Sequence, residues 1–188
     1  MLGYLDSLAT IEDDRLQKRL LKELIHSYVV LEKRVDALLK NTLPETVAEE
    51  IKCENRSLRF ISTPYAHSQG SFVTYDEKTR TLFTSDLFGS FSTQWDLFIQ
   101  LEEACFICND YKKCPNGKTY CPFPDMIQFH QDVMPCEKAL RHAIRKIKGL
   151  DVDMIAPQHG SVLNRKRDIH FLADTLESLN GVGIDAIV

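Results

Sequence analysis

Residues Leu82 to Gly89 read LFTSDLFG, a short apolar stretch that runs directly into a carboxylate and ends in a glycine. A short apolar run with this boundary is typical of a buried strand, and the polar residue after it lies on the loop beyond. Upstream, the apolar run 72–75 is separated from 81–85 by the polar residues DEKTR, 76–80. We therefore predict a β-hairpin of 72–75 and 81–85, with Asp86 following its second strand.

Two further predicted strands also end next to a metal-binding side chain. The run Leu58 to Ser62 is followed by TPYAHSQG, which puts His67 on a loop before a glycine. The short apolar run Met154 to Ala156 is followed by PQHGS, which puts His159 on a similar loop. A single histidine beside a proline is more often structural, because a neutral imidazole easily satisfies its hydrogen bonds. Three metal-binding side chains at three strand ends favour a shared site.

The chemistry of these three side chains is that of a transition-metal site. Imidazole and carboxylate ligands suit iron, zinc or manganese. Loops beyond strand ends can converge on one point, so we expect His67, Asp86 and His159 to lie together. Because a carboxylate has two oxygens, Asp86 could bridge two metals while each histidine binds one.

The segment Ser57 to Ser161 resembles the C-terminal half of metallo-β-lactamase-fold domains, and within them the flavodiiron and oxygen-binding diiron proteins. The strings that carry the resemblance are FISTPYAH (60–67), GSFVTYD (70–76), LFTSDLFG (82–89), MPC (134–136), ALRHA (139–143) and MIAPQHGS (154–161). SDLFG distinguishes this branch from the hydrolytic relatives, which favour Gly-Asp there. The resemblance implies an α/β fold, a partial αββα sandwich, with His67 on one iron, His159 on the other and Asp86 bridging.

By this resemblance the chain is a non-haem iron protein, with two irons in the family, that binds or reduces dioxygen or nitric oxide or senses oxygen or redox state. If active, it would be an oxidoreductase of flavodiiron type with an external electron donor, and no catalytic residue is assigned. The alternatives are a zinc-dependent hydrolase of the same fold and a degenerate, non-catalytic interaction module. The family's first ligand cluster, His-x-Glu-x-Asp or His-x-His-x-Asp-His, lies upstream, but residues 1–56 contain one histidine, His26.

The first 56 residues have a helical pattern. Apolar residues follow a 3-4-3-4-3 spacing at Leu21, Leu24, Tyr28, Leu31, Val35 and Leu38. This spacing predicts a coiled-coil-like helix that forms a homodimer or packs within its own domain. A short second helix is predicted from about Pro44 to Lys52. We assign 1–56 to a helical segment, for dimerisation or signalling, and 57–188 to the metallo-β-lactamase-like half.

The second half contains a cysteine-rich insertion at about 104–122. Four of the six cysteines lie there with the spacing C-x2-C-x5-C-x6-C, at Cys105, Cys108, Cys114 and Cys121. Four thiolates can complete a tetrahedral site, and zinc or an iron–sulfur cluster both fit the spacing. The alternative is a set of reduced thiols. Around the insertion we predict helices over 94–103, 136–147 and 167–179.

Composition excludes several classes of function. The net charge is −4, which argues against a nucleic-acid surface, since such surfaces are basic. No apolar run reaches the roughly 18 residues of a membrane span. The N-terminus lacks a basic region followed by an apolar stretch, so we expect a cytoplasmic protein.

Overall fold

The computed structural model describes residues 50–53, 55–92, 94–108 and 114–187. The predicted coiled-coil residues 21–38 lie outside these ranges. The described residues contain one mixed sheet with seven strands. The strands are β1 (Glu50–Cys53), β2 (Arg56–Ser62), β3 (Phe72–Asp76), β4 (Thr81–Phe83), β5 (Phe98–Ile99), β6 (Met154–Ala156) and β7 (Val162–Leu163).

The strand order in the sheet is β1-β2-β3-β4-β6-β7-β5. Strands β1 to β4 form an antiparallel meander, and β4 then pairs parallel to β6, with Leu82 opposite Ile155. Strand β6 pairs antiparallel to β7, which pairs parallel to β5. Because β2, β4 and β6 run in the same direction, their carboxyl ends lie at the same edge of the sheet. This topology gathers the loops that carry His67, Asp86 and His159.

In the described part of the chain, three α-helices accompany the sheet. They are α1 (Phe123–Val133), α2 (Glu137–Lys148) and α3 (Lys166–Glu177), and two short 3-10 helices cover Glu103–Ile107 and Ile184–Ala186. Helix α2 packs on α3, and α3 also contacts β6. The outer face of α2 is basic, and Lys148 pairs with both Asp174 and Glu177 of α3. None of the described helices has the length and apolar content to cross a membrane.

The core joins the sheet to the helices. Its buried side chains include Leu82 and Ile155 of the central strands, Leu140 and Ile144 of α2, and Leu172 of α3, each no more than 1% exposed. Burying one such side chain contributes about 1.5–3 kcal/mol. The two central strands are therefore anchored by the same core that holds the helices, and this fixes the loops at their ends.

Most of the predicted elements of the second half are confirmed. Strands β2, β3, β4 and β6 and helices α2 and α3 lie where the sequence patterns placed them, with ends that differ by one or two residues. The predicted helix over 94–103 is wrong. Strand β5 lies there instead, because the buried residues Leu97, Ile99 and Leu101 alternate with exposed or half-buried ones, the period of a strand.

Two other elements differ from expectation. The predicted end of the second N-terminal helix, at Lys52, is wrong. Residues 50–52 belong to strand β1, which pairs with β2. Helix α1 was not predicted. It begins after Pro122 and has a second proline in its first turn, a common helix start, and it buries Phe123, Met126, Phe129 and His130.

Candidate metal centre

The carboxylate of Asp86 lies between two imidazoles. Its Oδ2 is 2.7 Å from Nδ1 of His67, and its Oδ1 is 3.1 Å from Nε2 of His159. The structure thus brings together all three side chains that the sequence singled out. Each oxygen of one carboxylate faces a different histidine, which is the arrangement expected of a bridging ligand.

His159 presents its Nε2 to the carboxylate because its other ring nitrogen is already engaged. Its Nδ1 lies 2.9 Å from the backbone carbonyl oxygen of Ser90, so Nδ1–H donates there. Both nitrogens therefore face oxygen acceptors, and Nε2 needs either a proton or a metal ion between it and Asp86. The hydrogen bond to Asp86 raises the pKa of His159, and the same bond lowers the pKa of Asp86.

Aromatic rings and a glycine surround the imidazole of His159. Phe91 stacks on it with ring centroids 5.2 Å apart, and Phe129 of α1 meets it edge to face at 4.9 Å. On a third side, a Cβ at Gly89 would lie 2.9 Å from Cε1 of His159. The ring is thus held in position by Phe91, Phe129 and the backbone of Gly89.

The loops that carry the ligands adopt unusual backbone conformations. Left-handed φ values occur at Tyr65 (62°), His67 (82°), Ser85 (51°) and Phe88 (65°), none of which is glycine. Such conformations each cost on the order of 1 kcal/mol and persist only where the surroundings enforce them. They concentrate at functional sites, and here they lie on both sides of the Asp86–His67 contact.

A buried histidine that the sequence analysis missed supports the loop after Asp86. His130 of α1 is fully buried, with Nδ1 2.7 Å from the carbonyl oxygen of Met126, and Nε2 accepts a hydrogen bond of 3.0 Å from the backbone N–H of Phe88. Burial lowers the pKa of His130 to about 4, so the ring is neutral. Since both nitrogens are satisfied, His130 holds the loop rather than binding a metal. Nothing in its sequence context distinguishes it from an ordinary core residue.

A cavity of about 310 Å³ opens beside the Asp86–His67 contact. It is lined by the loop of His67 and the loop of Asp86. Its walls include Thr63, Ala66, Ser71, Phe72 and Leu87. Within the described ranges, no three His, Cys, Asp or Glu side chains are grouped as one metal ion would require. Each oxygen of Asp86 contacts one imidazole, so the contacts form two separate carboxylate–imidazole pairs.

Three of the four cysteines of the predicted second site lie at a different cavity, of about 350 Å³. Cys105, Cys114 and Cys121 line it, together with Lys118 and Tyr120. All four thiols are half-buried and none forms a disulfide. They too fail to form a ready cluster for an ion.

Comparison with known proteins places the chain in a family. Residues 6–160 match the family described as ODP family beta lactamase. The chain belongs to this family. The match also includes most of the segment 1–56 that was predicted to be helical. It confirms the resemblance to metallo-β-lactamase-fold diiron proteins that the sequence strings indicated.

Similar structures come from a chemotaxis sensor and from flavodiiron proteins. The peroxy diiron species of the chemotaxis sensor ODP aligns with a TM-score of 0.59 and 25% identity, over 73% of this chain and 52% of that chain. The apo state of the sensor from T. denticola aligns with a TM-score of 0.58 and 26% identity, over 73% of this chain and 50% of that chain. A variant flavo di-iron protein from Thermotoga maritima aligns with a TM-score of 0.55, over 76% of this chain and 33% of that chain. Its identity to this chain is 19%, so this likeness shows the fold alone.

The curated relatives are much longer than the matched region. The type A flavoprotein fprA of Rhodobacter capsulatus is 29% identical over 118 residues, which is 63% of this chain and 23% of that protein. An uncharacterised protein of Methanocaldococcus jannaschii is 29% identical over 115 residues, 61% of this chain and 25% of its own length. The chain thus spans about half the length of the sensor structures and about a quarter of that of these relatives.

Proposed function

We propose that this chain binds non-haem iron through His67, Asp86 and His159, and that it acts as an oxygen or redox sensor of the diiron type. The observation that carries the proposal is the carboxylate of Asp86, each of whose oxygens faces a different imidazole. Membership of the family and similarity to a chemotaxis sensor with a diiron species support it.

The geometry of the donor atoms fits iron. Two ligands bound to one metal at about 2.0–2.2 Å and near a right angle are roughly 3 Å apart. The two contacts of Asp86 are 2.7 and 3.1 Å long, close to this separation. Imidazole and carboxylate are ligands that suit ferrous iron. His67 with Oδ2 would hold one iron, and His159 with Oδ1 the other.

When bound, ferrous iron supplies the reversible binding, or the reduction, of a small gas such as dioxygen or nitric oxide. The residues of the chain set the conditions for this. Asp86 offsets the positive charge, while Phe91 and Phe129 shield one face of His159 from water. The cavity beside His67 is large enough for a diatomic gas. Reduction over many turnovers would further require an external electron donor.

The isolated chain should bind iron weakly. Each iron position receives one imidazole and one oxygen from the described residues, and residues 1–56 lack the family's upstream cluster. Water or donors from another chain would complete the coordination. We propose that the other chain is a second copy of this protein, in a homodimer formed through the coiled-coil-like helix predicted over 21–38.

Iron binding by matched variants tests the proposal. We expect the wild type, loaded with ferrous iron under anaerobic conditions, to hold close to two irons per chain, and Asp86→Ala to hold almost none. Asp132→Ala is the control, because Asp132 is an exposed carboxylate of α1 bonded to Gln128. Equilibrium dialysis against ferrous iron, followed by plasma emission spectrometry, gives the metal content and also detects weakly bound iron. Equal iron content in Asp86→Ala and wild type would refute the site. Zinc in place of iron, together with hydrolytic activity, would favour the zinc-dependent hydrolase. Wild-type protein that binds no metal would favour the non-catalytic interaction module.

A further inference from the structure

The cysteine-rich insertion is built from two turns. The N–H of Cys108 donates to the carbonyl oxygen of Cys105 at 3.3 Å, which closes the first turn with two thiols three positions apart. The N–H of Gly117 donates to the carbonyl oxygen of Cys114 at 3.1 Å, with a left-handed φ of 68° at Gly117. Each of the two turns therefore begins with a cysteine, Cys105 in the first and Cys114 in the second.

The two turns face each other. The side-chain amide of Asn116, in the second turn, donates to the sulfur of Cys105, in the first, at 3.6 Å. The backbone N–H of Phe123 donates to Cys121, which follows the second turn. Donors aimed at sulfur are typical of the surroundings of metal-bound thiolates. Cys105, Cys114 and Cys121 line the same cavity, so the sulfurs are neighbours although they are not yet in contact.

We propose that Cys105, Cys108, Cys114 and Cys121 bind one zinc ion as four thiolates, and that this ion locks the two turns together. Four thiolates in one half-buried region repel one another, and a divalent cation removes that repulsion. Zinc takes four thiolates at about 2.3 Å in closed tetrahedral structural sites, and the C-x2-C pair supplies the usual two-residue chelate. Binding draws the four side chains inward around the cavity and releases thiol protons.

Burial raises the pKa of the Cys121 thiol, and the nearby Cys114, Cys108 and Cys105 raise it further. Cys121 therefore lies within electrostatic reach of the other three cysteines. The site is independent of the iron ligands, since no residue is shared.

Zinc titration of the full chain under reducing conditions tests the proposal. After removal of metals with a chelator, we expect one equivalent of zinc to bind in competition with a chromophoric chelator. Cobalt(II) in place of zinc should give thiolate-to-cobalt charge-transfer bands. Cys105→Ser/Cys108→Ser should lose both signals, while Cys136→Ser, which changes a thiol outside the insertion, should keep them. Asp86→Ala should also keep them, which separates this site from the iron centre.

Several outcomes would overturn the proposal. One is a double variant that still binds one zinc; another is a cobalt complex without thiolate bands. Protein isolated anaerobically with stoichiometric iron and inorganic sulfide would show a cluster in place of zinc. Should the double variant fail to fold by circular dichroism, Cys114→Ser alone, in the second turn, must weaken zinc binding at least tenfold. Undiminished affinity in a folded Cys114→Ser variant would equally refute the site.

Discussion

Replacing Gly89 by alanine should damage the candidate centre without touching a ligand. A Cβ at this position would lie 2.9 Å from Cε1 and 3.0 Å from Nδ1 of His159, and 2.9 Å from the carbonyl oxygen of Asp86. The carbonyl is part of the backbone and cannot yield, while the imidazole is held by the buried Phe129 and by its hydrogen bonds to Ser90 and Asp86. The ring must therefore shift and lose its 2.9 Å hydrogen bond to Ser90.

The magnitude follows from these contacts. Overpacking a well-filled site costs about 1–3 kcal/mol, and losing a hydrogen bond to a charged group about 1.5–3 kcal/mol. Because the shift relieves part of the overlap, we expect the free energy of unfolding to fall by about 2–4 kcal/mol. A displaced His159 should also weaken iron binding at least tenfold, which corresponds to about 1.4 kcal/mol.

Gly70→Ala is the matched control for Gly89→Ala. Gly70 lies on the loop of His67, and a Cβ there would meet no heavy atom within 4 Å. The same substitution should leave the protein as stable as the wild type or stabilise it by about 0.4–1 kcal/mol. Urea unfolding of both variants, with iron titration of each, makes the comparison. If Gly89→Ala matched Gly70→Ala in both measurements, the proposed confinement of His159 would be refuted.

Two further predictions concern α1 and the N-terminal segment. The pKa of His130 is about 4 in the folded protein, against about 6.5 in the unfolded chain, so the folded state prefers the neutral ring. This preference stabilises the fold fully above pH 6.5. As the pH falls toward 4, the free energy of unfolding should drop by about 3 kcal/mol. Urea midpoints at pH 7.5 and 5 should therefore differ less in His130→Gln than in wild type, and an unchanged difference would contradict this. For the heptad helix, sedimentation should show a wild-type dimer at tens of micromolar and a folded Leu31→Lys monomer; a monomeric wild type would rule the dimer out.

Sequence patterns located the candidate ligands because those side chains lie at strand ends. The runs before His67, Asp86 and His159 are short and apolar, so their strands were recognisable one at a time. Their convergence needed one more fact, that β2, β4 and β6 run in the same direction. The family resemblance implied this topology, whereas periodicity alone would have left it open.

The remaining parts of the centre depend on tertiary contacts. His130 reaches Phe88 from 42 positions away, and neither residue has a local pattern that predicts this hydrogen bond. Around strand β5 the sequence hides the alternation of burial, because Phe98, between the buried Leu97 and Ile99, is also apolar. The requirement for glycine at position 89 arises from His159, 70 positions later, and is visible only in the folded structure.

The loops around Asp86 contain strained backbone conformations that folding alone does not require. Left-handed φ values at His67, Ser85 and Phe88 oppose folding by roughly 1–2 kcal/mol each. They are kept in place by buried contacts such as the His130–Phe88 hydrogen bond. Their joint effect is to hold the carboxylate of Asp86 2.7–3.1 Å from two imidazoles, with Asp86 and His67 lining a cavity. A surface used only for protein contacts would gain nothing from this strain, whereas a metal centre needs its ligands positioned before the ion arrives. The backbone geometry thus favours metal binding over the interaction module, even though the upstream ligand cluster is missing from residues 1–56.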